Sequence, residues 1–72
     1  MPPRDGILFL LEVCIEQDGF RAGIIEDIGH GRVSYLLQRP NRRPHIRTAP
    51  SSWDARRRIR RWIKDHYERG MP

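Results

Sequence analysis

A chain of 72 residues has room for one domain and can bury only about 60% of the surface its unfolded form exposes. Its one cysteine, Cys14, excludes an internal disulfide, and its formal net charge of +5 is unevenly placed. Residues 1–31 hold two arginines against six carboxylates, a net of −4, whereas residues 32–72 hold twelve basic groups against three carboxylates, a net of +9.

A lone cysteine and no secretory-leader pattern predict a cytoplasmic protein. The apolar run from Ile7 to Leu11 is far short of the roughly 20 residues that a membrane span needs. No membrane insertion is expected.

Residues 1–6 read as a flexible tail, residues 7–70 as a single domain, and residues 71–72 as a second tail. From Ile7 the pattern has period two. Ile7, Phe9, Leu11, Val13 and Ile15 share one face, and Leu8, Leu10, Glu12, Cys14 and Glu16 share the other. The first set is predicted to face the core.

Asp18-Gly19 is a strong hairpin signal, because a type I′ turn needs positive φ at both central residues. A two-residue loop sets Gln17 against Phe20, Ile15 against Ala22, Val13 against Ile24 and Phe9 against Ile28. Glu16 and Arg21 then form an opposite-charge pair across the ladder. Leu11 falls against Glu26, a mismatch at which the strand is expected to bend. Cys14 falls opposite Gly23 and reads as a small buried thiol.

Gly29-His30-Gly31 breaks the second strand and leaves His30 exposed. A third strand is predicted over Arg32–Gln38, with Val33, Tyr35 and Leu37 inward. Leu8, Leu10, Ile25 and Leu36 fall on the opposite face, so that face needs a cover as well. Pro40 and Pro44 frame a turn, and His45–Thr48 reads as a short fourth strand at an edge.

Ser51 is the expected N-cap of a helix, with Asp54 three residues on and Gly70 at its end. At 100° per residue Ala55, Ile59, Trp62, Ile63 and His66 share one stripe, with Tyr67 at its edge. His66 is accordingly expected at the core or its boundary. The predicted fold class is α+β: a small antiparallel sheet of three or four strands packed against one C-terminal amphipathic helix.

Catalysis is not expected. Cys14, His30, His45 and His66 are scattered singly, without the paired spacing of a zinc site, and no phosphate-binding glycine loop is present. No metal and no cofactor are predicted. The feature with functional content is basic. Arg57, Arg58, Arg60, Arg61 and Lys64 crowd the solvent side of the helix, where like charges repel one another. Arg39, Arg42, Arg43 and Arg47 form a second cluster around the proline-framed loop.

A line of negative charge would relieve that repulsion, so the predicted partner is nucleic acid, DNA or RNA, held by its phosphates. The helix set together with Arg42 and Arg43 is the predicted binding set. No Asn or Gln lies on the helix, although arginine alone could contact guanine, so weak sequence preference is expected. The alternative partner is an acidic protein surface that the arginines grip through carboxylates. Apolar residues on both sides of the strands further predict a homodimer through the sheet face or edge that the helix leaves open.

Overall fold

Asp18 and Gly19 take φ values of 55° and 85°, both in the left-handed region that a type I′ turn requires, and they close the first hairpin. The computed structural model describes residues 9–69. Within them β1 (Glu12–Gln17), β2 (Phe20–Gly29), β3 (Arg32–Gln38) and β4 (His45–Ala49) form one antiparallel sheet in the order β1-β2-β3-β4. A single helix, α1 (Ser52–Ile63), follows and runs on as a π-helical turn over Lys64–Glu68. The expected tails, the start of the first strand at Ile7 and Leu8, and the helix end at Gly70 lie outside the described residues.

The helix starts where its cap chemistry puts it. Ser51 is extended, and its Oγ accepts a hydrogen bond from the Asp54 amide at 3.1 Å. The same hydroxyl donates to the Asp54 carboxylate at 2.9 Å, which closes the cap. Ala55 and Ile59 point from α1 into the sheet and are wholly buried. A fully buried isoleucine contributes about 1.5–3 kcal/mol. Around them lie Ala22, Ile24, Val33, Tyr35, Leu37 and Ala49, with Ile15, Trp62 and Ile63 at the margin. The expected inward set of the third strand is therefore the observed one.

The first strand departs from expectation. Gln17 faces Phe20, Glu16 faces Arg21 and Ile15 faces Ala22, as the turn dictates. Beyond Ile15 the register slips by one, so that Val13 faces Gly23 and Glu12 faces Ile24. Cys14 is the extra residue of a β-bulge, and a bulge sends every later side chain to the opposite face. Phe9, Leu11 and Val13, expected inward, are exposed, and so is Cys14, expected buried. Glu12, expected outward, turns toward the helix. Glycine at position 23 permits this, because a Cβ there would overlap the Glu12 carbonyl oxygen. The anticipated bend near Glu26 is also a bulge, at Ile25 between the pairs Ile24–Tyr35 and Glu26–Ser34.

The bulge has an electrostatic result. Arg56 reaches down from α1 and grips the Glu12 carboxylate with two hydrogen bonds, of 2.6 Å and 2.9 Å. Those bonds hold the Glu12 carboxyl below the usual glutamate range. A depressed carboxyl stabilises the fold above its unfolded pKa and loses that contribution as pH falls through its folded value. Glu12→Gln should therefore be less stable than the parent at pH 7 in urea unfolding. The difference should close below about pH 4.

The opposite sheet face carries the cross-strand row Val13–Gly23–Leu36–Ile46. Leu10 packs against Gly23 on this side, and Leu10 and Leu36, expected to need a second subunit as their cover, are buried within the chain itself. The ends of the row stay open, Val13 at 53% and Ile46 at 54% exposure. Among the described residues no helix is long and apolar enough to cross a membrane.

Candidate functional site

Three segments meet at the end of the sheet where the first hairpin turns. The first is the β1–β2 turn itself. The second is the β3–β4 loop, where the Arg42 amide donates to the Arg39 carbonyl at 3.2 Å and closes a turn through Pro40 and Asn41. Proline suits the second position of such a turn, and Asn41 takes the positive φ, 58°, that type II geometry places at the third. Gln38 donates its side-chain amide to the Arg42 carbonyl at 2.8 Å and braces the loop. The two turns touch, since a Cβ on Gly19 would come within 2.9 Å of the Pro40 ring.

The third segment is the π-helical turn, closed by a bond from the Arg69 amide to the Lys64 carbonyl. A π turn takes one more residue per turn than an α turn and shifts the side chains that follow. His66, expected at the core margin, is exposed, with its ring 5.4 Å from that of Trp62. Tyr67 packs edge-on against Phe20 at 5.0 Å, and its hydroxyl donates to the Asp18 carboxylate at 2.8 Å. That bond raises the Tyr67 pKa above the usual tyrosine range. Phe20 also meets the Trp62 ring at a steep angle, 6.1 Å away.

Beside this junction the β3–β4 loop, β4 and the helix end border a depression of about 340 Å³. Buried Leu37 and half-buried Trp62 line it, the loop supplies Arg39, Arg42 and Arg43, and β4 supplies His45 and Arg47. His66 borders it from the helix. Among the described residues no carboxylate lines it. Among the described residues none of its four arginines has an ion-pair partner. Each guanidinium offers a planar fork of donors suited to phosphate or carboxylate oxygens.

The helix face is a different kind of surface. Arg57, Arg58, Arg60, Arg61, Lys64 and Glu68 border an open depression of about 640 Å³. It is larger than the other, but every wall is an exposed side chain, so no packed floor defines its shape. Arg57 lies over the Trp53 ring at 5.0 Å, and Arg58 donates to the Thr48 carbonyl at 3.2 Å. Arg60, Arg61 and Lys64 have no ion-pair partner among the described residues.

The predicted binding residues thus fall into two places. Arg42 and Arg43 belong to the loop depression, and the five helix residues surround the other. No residue borders both, and Arg58 bonds to β4 at the Thr48 carbonyl, one residue after Arg47. The row Glu12–Ile24–Tyr35–Arg47 crosses the sheet beneath the helix and has its carboxylate at the β1 edge and its guanidinium at the β4 edge. At the β1 edge Glu12 is engaged with Arg56 and Glu16 with Arg21, while Asp18, in the turn beside the loop, accepts from the Tyr67 hydroxyl.

Trp62, His66 and His45 were not foreseen as part of a site. For His45 a signal exists, because alternation along β4 puts His45 and Arg47 on the face of Leu37 and Tyr35. No group of three or more metal-ligating side chains comes together among the described residues. Exposed Cys14 has its thiol pKa raised, first by partial desolvation and then by the Glu12 carboxylate, which opposes nucleophilic use.

The geometry defines a class: a four-stranded antiparallel sheet with one C-terminal helix and an arginine-lined hollow at its loop end. Comparison of the chain with protein-family models, curated proteins and solved structures returned no match.

Proposed function

We propose that this protein is a non-catalytic, cytoplasmic nucleic-acid-binding module. It holds phosphates in the hollow between the β3–β4 loop and the helix end and along the adjoining helix face. The observation that carries this reading is the convergence of Arg39, Arg42, Arg43 and Arg47, all without carboxylate partners among the described residues, beside two aromatic rings. Unpaired guanidinium groups held this close repel one another, and a polyanion removes that repulsion while releasing its own counterions. An acidic protein would satisfy the arginines equally well. It would give Trp62 and His66 no particular role, whereas a nucleic acid brings bases to both.

The test is a titration with short duplex DNA, duplex RNA and single strands at about 50 and 200 mM salt. Binding should show little sequence preference and weaken steeply with salt. A slope of about −3 to −5 in log K against log salt would match four to six phosphate contacts. No binding to any of them at the lower salt removes the proposal and leaves the acidic-protein alternative.

The exposed ends of the row Val13–Gly23–Leu36–Ile46 favour a homodimer through the sheet face away from the helix. Sedimentation equilibrium at tens of micromolar should return about twice the 8.6 kDa chain mass. Ile46→Lys should return the monomer mass, and a monomeric parent protein refutes the dimer.

A further inference from the structure

We infer that the loop-end hollow is a subsite for one unpaired nucleotide, which makes the protein prefer single strands to duplex. This rests on the nucleic-acid reading above and narrows it. The first argument is size. At about 340 Å³ the hollow is at the small end of ligand pockets, enough for one nucleotide and too narrow for a double helix. A paired base can enter only after it is flipped out of its stack, so duplex is limited to phosphate contacts at the rim.

The second argument is the division of the lining. Arg39, Arg42, Arg43 and Arg47 supply the charge, while Trp62 and His66 supply flat rings at the helix end. A nucleotide has the same two parts, an anionic phosphate and a flat base. A bare phosphate would use only the arginines.

The third argument is that the rings are held in place without a ligand. Phe20 abuts Trp62, and the Tyr67–Asp18 hydrogen bond ties the π turn to the hairpin. A pre-positioned stacking surface loses little freedom when a base arrives. Among the described residues no Asn, Asp or Glu lines the hollow, so stacking should tolerate any base, with guanine the one base whose edge the arginines can also contact.

Fluorescence separates stacking from charge. Trp53 is exposed, at 61%, so Trp53→Phe leaves Trp62 as the one tryptophan emitter without disturbing the core. In that background a mixed single strand should bind about tenfold more tightly than a blunt hairpin duplex of equal phosphate count, closed by a polyethylene glycol tether in place of unpaired nucleotides, and it should quench Trp62. Inorganic polyphosphate should bind without quenching. His66→Ala removes an exposed ring and should lower single-strand affinity several-fold, with hairpin and polyphosphate binding and the circular dichroism spectrum unchanged. Equal affinity for strand and hairpin, or equal quenching by polyphosphate, overturns the subsite and leaves phosphate binding standing. Failure of strand, hairpin and polyphosphate alike overturns both.

Discussion

Gly23→Ala is expected to destabilise the domain by about 3 kcal/mol, near the top of what overpacking costs. For a chain this short that lowers Tm by about 15 °C. The new methyl meets the Glu12 carbonyl, which is main chain and cannot rotate away, so β1 must move outward. Moving β1 undoes the bulge at Cys14 and withdraws Glu12 from Arg56. Glu12→Gln should consequently cost less in the Gly23→Ala background than in the parent, a coupling that a double-mutant cycle reads directly. Gly29→Ala is the control. Gly29 has a φ of 101° but open space around it, so its cost is backbone strain alone, about 1–2 kcal/mol. Urea unfolding of the three proteins decides the matter. A Gly23→Ala loss no larger than that of Gly29→Ala would mean that β1 does not depend on the close approach.

The same contact explains which parts of the fold were legible. The Asp18-Gly19 turn, the strand Arg32–Gln38 and the Ser51 cap each depend on residues adjacent in the chain, and each was read correctly. The bulge depends on Gly23 of one strand meeting the backbone of another. Alternation from Ile7 to Ile15 looks the same with or without it, since the apolar residues keep their spacing while the backbone changes face. The misplacement of Phe9, Leu11, Val13, Glu12 and Cys14 follows from that one unseen residue.

For the candidate site the sequence exposed the charges but not their meeting. Arg39, Arg42, Arg43 and Arg47 are visible as a cluster, and the fourth strand was expected where it lies. That His66 closes the hollow beside Trp62 depends on the π turn at Lys64–Glu68 and on the distant Tyr67–Asp18 hydrogen bond. Neither leaves a mark on a wheel drawn at 100° per residue. The wheel assigned His66 to the core by phase, while the core ends one turn earlier at Ile63.

Neutralising the hollow should separate its role from that of the helix face. The triple variant Arg42→Gln, Arg43→Gln, Arg47→Gln should reduce the salt slope for a single strand by about 2, because each lost phosphate contact removes about 0.7. Extended from molar salt down to about 50 mM, that slope change amounts to a few hundredfold in affinity. All three side chains are exposed and unpaired among the described residues, so unfolding by urea should be unchanged within about 0.5 kcal/mol. Hairpin duplex reaches only the rim of the hollow and should lose distinctly less. The companion variant Arg60→Gln, Arg61→Gln, Lys64→Gln removes open charges from a face with no floor. It should weaken strand and hairpin by similar factors, as contacts to phosphate alone do. If instead the helix triple costs the single strand more than the loop triple does, the principal binding surface is the helix and the hollow is secondary to it. If the loop triple lowers strand and hairpin equally, its arginines act as surface charge, and the rings beside them take no part in binding.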